Sequence, residues 1–135
     1  MLADPTIHEL ELTAYEKTLL RKWQSVAARA ELIAQFYLKA KYANRDYEFL
    51  DPNPGADLTV RVGRKFYDFE VKGTADEDIA LSKLKVSSCE SYKLIVSGIT
   101  VLRVMRTMTA SPSVAELRFK KHFLLTEEAR WRATK

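Results

Sequence analysis

"GADLTVRVGRKFYDFEVKG", residues 55–73, reads as a β-hairpin turned at Gly63 and Arg64. Glycine takes the positive φ that a two-residue hairpin turn demands. Val62 then faces Lys65, paired positions sum to 127, and Asp57 is expected directly across from Glu70. Lys72 lies two residues beyond Glu70 and shares its face, because side chains alternate along a strand. The other face carries Leu58, Val60, Val62, Tyr67, Phe69 and Val71, an apolar set suited to packing on a helix. Two carboxylates opposed across a strand pair sit about 5 Å apart, which at an effective dielectric near 20 is about 3 kcal/mol of repulsion if both are ionised. Solvent, a cation or a raised carboxyl pKa would offset it. A hard divalent ion between the oxygens is the most economical answer, with Lys72 beside it to hold a bound water or a phosphate oxygen.

Upstream of the hairpin, residues 6–50 contain neither proline nor glycine, and Thr6 with Glu9 and Thr13 with Glu16 each have the spacing of a capping box. A helix can start at either. Leu19, Trp23, Val26, Ala27, Ala30, Ile33, Ala34 and Tyr37 form one stripe at three-four spacing, which predicts a helix to about Lys41, bent or broken between Arg21 and Ser25. Trp23 is read as core. "YEFLD" (47–51) predicts a short strand and "PNPG" (52–55) a turn. Downstream, either residues 79–81 are a short strand and Ser82 caps a helix from Lys83 to about Ser91, or Thr74 with Glu77 starts that helix earlier, and "YKLIVSGI" (92–99) and "VLRVMRTM" (101–108) predict two strands. Ser113 with Glu116 is a further capping box, and 126–131 a closing amphipathic turn or helix. The expected class is α/β or α+β: a central mixed sheet of four to five strands flanked by helices. One domain spans 1–135, with 1–20 a helical N-terminal extension and 111–135 a C-terminal one.

With 135 residues the chain is long enough for a core without staples, and 47% hydrophobic with 30% charged residues is ordinary for a globular domain. One cysteine, Cys89, excludes an internal disulfide and a zinc cluster, and two distant histidines, His8 and His122, offer no metal-ligand spacing. A cytoplasmic location is expected, with no leader and no membrane span. Twenty-two basic against 18 acidic residues give a net charge of +4, compatible with a polyanionic partner. No nucleotide-cradling glycine loop and no nucleophile–base pair supports a small-molecule enzyme.

Gly55-Ala56-Asp57, followed after twelve residues by Glu70-Val71-Lys72, resembles the PD-(D/E)XK nuclease superfamily. Its signature is an Asp on one strand and an Asp/Glu-x-Lys on the next. An upstream helix in that superfamily often supplies another Glu, a place taken here by Glu31 in "AARAELIAQFYLKAKY" (27–42). The set "AELIAQFYL … NPGADL … FEVKGT … ALSK" looks most like the branch found beside bacterial restriction and helicase modules, over about residues 28–98. Ala56 stands where proline often does.

The resemblance implies a restriction-endonuclease-like core and hydrolysis of DNA phosphodiester bonds in restriction, repair or mobile-element defence. Asp57, Glu70 and the Val71 carbonyl would hold Mg²⁺, for which Mn²⁺ substitutes. Glu31 would bind the same ion through water or help hold a second, and Lys72 would orient the attacking water. Ser82, Lys83 and Lys85 at a helix start, and Arg61 near the hairpin tip, are candidate contacts to the DNA backbone. DNA is the expected partner, with a second copy of the chain or a nuclease or helicase partner. The competing reading is a non-catalytic module of the same fold that binds nucleic acid or a partner, its hairpin face merely solvated and its Glu–Lys pair worth little. Asp68 is an extra ligand or surface.

Overall fold

The computed structural model describes residues 6–76 and 100–117. Of the two capping boxes near the N-terminus, the one at Thr13 starts a helix. The Glu16 N–H donates to Thr13 Oγ1 at 3.1 Å, and the Thr13 N–H donates back to Glu16 Oε1 at 2.9 Å. Helix α1 runs Ala14–Arg21. The expected break follows, and Ser25 caps the second helix, α2 (Val26–Lys41), by accepting the Ala28 N–H at 3.1 Å. Trp23 falls in this break and is 51% exposed, so the reading of it as core is corrected. The chain turns between the helices there, and the stripe from Leu19 does not carry through.

The buried side of α2 is Ala30, Ile33, Ala34, Tyr37 and Leu38, the i, i+3, i+4, i+7, i+8 face of a helix on a sheet. The strands it meets are β2 (Tyr47–Leu50), β3 (Leu58–Val62), β4 (Lys65–Gly73), β5 (Thr100–Met105) and β6 (Ser113–Leu117), joined at one edge by β1 (Ile7–Glu9). Their order in the six-stranded sheet is β1-β6-β5-β4-β3-β2. Every neighbouring pair is antiparallel except β4 with β5. That parallel pair requires a long crossover, here residues 74–99. The helix expected from Lys83 and the strand expected at 92–99 lie in it, outside the described residues. Leu58, Val60, Val62, Phe69, Leu102, Val104 and Val114 join the buried side of α2 in one apolar cluster. The class is α+β, with a mixed sheet of six strands among the described residues where four to five were expected.

Two expectations are overturned at the sheet edge. Ile7–Glu9 is a strand, not a helix start, and the N-terminal extension is therefore not wholly helical. It pairs with β6 in the register Ile7↔Ala115, His8↔Val114, Glu9↔Ser113. Ser113 and Glu116, spaced as a capping box, lie in β6 itself. Val114 and Ala115 are fully buried there, so long-range pairing and burial outweigh the local capping option. Glu116 is used across the core instead, accepting from Tyr37 Oη at 2.9 Å and Lys41 Nζ at 2.7 Å.

α2 lies close on the sheet because Gly73, at the end of β4, has no side chain. A Cβ built there would come within 2.4 Å of Ala30 Cβ and 3.3 Å of Val26 Cγ1. Among the described residues no helix is long and apolar enough to cross a membrane.

Candidate functional site

The hairpin forms in the expected register, Val62↔Lys65 to Leu58↔Phe69, around Gly63 at φ 61°. Its tip is pinned from outside. The Gly63 N–H donates to the Asp46 carbonyl at 2.8 Å, while Arg61 Nη1 reaches Asp46 Oδ2 at 3.2 Å and the Gly63 carbonyl at 3.0 Å. The hydrogen bond to Asp46 raises the Arg61 pKa above its ordinary value. Arg61, expected to face nucleic acid, thus spends its guanidinium on the loop before β2.

The ladder stops one residue short of Asp57. A two-residue turn makes Val62–Lys65 a hydrogen-bonded pair, and alternation places the next such pairs at Val60–Tyr67 and Leu58–Phe69. The Asp57 N–H nevertheless donates to the Phe69 carbonyl, at 2.9 Å. Asp57 and Leu58 therefore both oppose Phe69, in the manner of a β-bulge, which re-aims a side chain. Asp57 Oδ2 accepts the Val71 N–H at 2.7 Å. Asp57 is thus not squarely across from Glu70; its carboxylate is tied to the peptide joining Glu70 and Val71.

The loop before Asp57 is fixed by a polar network. Thr59 Oγ1 donates to Asp68 Oδ1 at 2.7 Å and accepts the Asn53 N–H at 2.9 Å, and Asn53 Nδ2 donates to the same Asp68 oxygen at 3.0 Å. Asp68 therefore anchors the turn at 52–55 that leads into Asp57. The alternation of Thr59 and Asp68 across the strand pair was the available sequence signal for this role.

Glu70 and Lys72 project from one face of β4, and Lys72 Nζ lies 3.2 Å from Glu70 Oε1. Their side chains retain only 13% and 21% exposure, partly shielding the pair from solvent. The N–H and C=O of one strand residue leave the same edge, so the Val71 carbonyl, like its N–H, is directed toward the segment of Asp57. Asp57, Glu70, Val71 and Lys72 are accordingly brought together. Sequence reasoning missed Arg103, 5% exposed, which pairs with Lys72 across β4 and β5 and so shares its face. A charge inside the apolar run "VLRVM" (101–105) was its signal.

Glu31 is placed elsewhere. Its neighbour Ala30 meets Gly73, and Glu31, exposed, lines a separate cleft with Trp23, Ala28, Leu32 and Gln35. Among the described residues no three His, Cys, Asp or Glu side chains form a group that could hold a metal. Ser82, Lys83 and Lys85 lie outside the described residues.

No family model, curated protein or solved structure matches this chain.

The hairpin site must therefore be judged on its chemistry. The groups here that could hold a cation are all oxygen: the second oxygen of Asp57, the Glu70 carboxylate and the Val71 carbonyl. This is the donor set of a hard ion such as Mg²⁺, which takes one or two carboxylates and keeps several waters. Lys72 supplies a cation and hydrogen-bond donor at the same place.

Proposed function

We propose that this chain is a Mg²⁺-dependent endonuclease of restriction-endonuclease-like fold that hydrolyses phosphodiester bonds of DNA, acting in restriction, repair or mobile-element defence. The observation that carries the reading is the Asp57 carboxylate at the Glu70–Val71 peptide with Lys72 Nζ 3.2 Å from Glu70. The helix-preceded hairpin and the parallel strand beside it support the fold assignment. Asp57, Glu70 and the Val71 carbonyl would hold the ion, which when bound would polarise a phosphoryl oxygen and lower the pKa of a bound water. Lys72 orients the attacking water and places positive charge where the transition state gathers negative charge. Cutting both strands takes two copies of such a site, and a second chain or a nuclease or helicase partner would provide the other.

One observation favours a non-catalytic module that binds nucleic acid or a partner. The Glu70–Lys72 pair and the Asp57–Val71 bond each satisfy their groups without an ion. Supercoiled plasmid incubated with the purified chain distinguishes the two readings. Nicking that requires Mg²⁺ or Mn²⁺, stops with EDTA and is lost in Asp57→Asn supports the nuclease; binding without nicking supports the module. Glu31→Gln is expected to nick at close to the wild-type rate, since Glu31 faces a different cleft. A loss comparable to that of Asp57→Asn would return Glu31 to the site.

A further inference from the structure

A second cleft lies between α1, α2 and the loop joining β5 to β6, with a volume of about 240 Å³. Among the described residues Lys17, Leu20, Arg21, Arg29, Met108, Thr109 and Ala110 line it, three of them cationic and none a carboxylate. Lys17 and Arg21 stand one helical turn apart, so they share a face of α1 at the spacing where like charges repel. Among the described residues neither these two nor Arg29 is in an ion pair.

Arg29 is held in place by neutral partners. Its Nε donates to the Trp23 carbonyl at 2.8 Å and its Nη1 to the Thr107 carbonyl at 3.4 Å. Two segments far apart in sequence thereby fix the guanidinium through neutral carbonyls. The opposite wall is also built. Thr109 Oγ1 donates to the Arg106 carbonyl at 2.9 Å and accepts the Ser111 N–H at 3.2 Å.

We propose that this cleft binds a phosphate group, contributed by the backbone of a nucleic acid. Three cationic residues lining one space suit a tetrahedral anion with several acceptor oxygens, and guanidinium groups engage phosphate in a planar fork. The volume falls below the roughly 300 Å³ at which pockets begin to enclose a whole small ligand. The cleft therefore takes one group of a larger molecule. Trp23, whose carbonyl holds Arg29, is half exposed at the neighbouring cleft and offers an aromatic face to an unstacked base. The site is separate from the hairpin carboxylates, and phosphate binding here does not depend on metal-assisted cleavage.

The test is equilibrium binding in EDTA, where cleavage through the hairpin site is silent. Fluorescence anisotropy of short labelled single-stranded and duplex oligonucleotides is measured across a salt series, and inorganic phosphate is titrated separately by calorimetry. The variant is Lys17→Gln with Arg21→Gln, both exposed residues, leaving Arg29 to hold the loop. The control is Arg64→Gln with Lys65→Gln at the hairpin tip. The pocket variant is expected to weaken oligonucleotide binding about tenfold at low salt and to lower the slope of log K against log salt by about 1. The control should change it far less. Loss of phosphate binding without loss of oligonucleotide binding would keep the phosphate pocket and overturn the nucleic-acid source, assigning it to a small phosphate-bearing molecule. Equal behaviour of pocket variant and control toward both probes would overturn the proposal, whether or not the hairpin cuts DNA.

Discussion

Lys72→Ala is expected to slow Mg²⁺-dependent plasmid nicking by a factor of about 10² to 10³, the usual cost of removing one group that stabilises transition-state charge. Metal binding should survive, because Lys72 donates no oxygen to the ion. In the resting protein its ammonium sits 3.2 Å from Glu70 Oε1 with limited exposure. Removing it makes the net charge of the site more negative, which favours the cation and disfavours the anionic substrate. Lys72→Arg should not restore the rate, since a planar fork on a longer stem cannot reproduce a compact ammonium beside one carboxylate oxygen. If Lys72 served only as an ion-pair partner, both variants would nick as the wild type does and show only a small change in stability. The comparison is made on initial rates under saturating Mg²⁺, with urea melts run in parallel.

The second large effect is on folding. Gly73→Ala is expected to destabilise the protein by about 1–3 kcal/mol, the range for overpacking a filled contact. The added Cβ would meet Ala30 Cβ at 2.4 Å, with Val26 Cγ1 and the Val26 carbonyl both at 3.3 Å. Two of these atoms belong to helix backbone or to a side chain with no rotamer to change, so α2 itself must lift from β4. Lifting it opens the apolar cluster around Ile33, Ala34 and Phe69, all nearly inaccessible to solvent. Pairing the substitution with Ala30→Gly removes the closest contact and should recover part of the loss, less the roughly 1 kcal/mol that glycine costs within a helix. Urea unfolding of the single and double variants measures both. A Gly73→Ala protein as stable as the wild type would mean that α2 does not pack over the end of β4.

The same contact shows why part of the fold could be read from the chain. The hairpin register was legible because a two-residue turn at Gly63 leaves one pairing that buries Leu58, Val60 and Phe69 together. The part of the stripe from Ala30 to Tyr37 was legible from its spacing, as was the break before Ser25, while Trp23 and Ala27 in the same stripe are exposed. Strands β1 and β6 were not. Each is short: β1 owes its form to β6, and β6 to β1 and β5, and the β1–β6 pairing over about a hundred residues competes with local capping at Thr6 and Ser113. The site was legible in composition and only partly in geometry. Asp57, Glu70, Val71 and Lys72 were foreseeable as neighbours, but the bulge that turns Asp57 toward the Val71 N–H depends on Asn53, Thr59 and Asp68 anchoring the preceding loop. The roles of Arg61, Trp23 and Glu31 depended on where loops and helix faces meet, which one-dimensional spacing does not carry. The cleft of Lys17, Arg21 and Arg29 joins three segments and has no linear motif at all.

The most direct test of a metal-dependent site at the hairpin is calorimetric titration of Mg²⁺, and of Mn²⁺ as its substitute, into the wild type and Asp57→Ala without DNA. Saturable binding by the wild type, lost or greatly weakened in Asp57→Ala while the variant stays folded, is the expected result. A wild type that binds neither ion, or an Asp57→Ala protein that binds both as tightly, would contradict it and leave the carboxylates as structural groups tying β3 to β4.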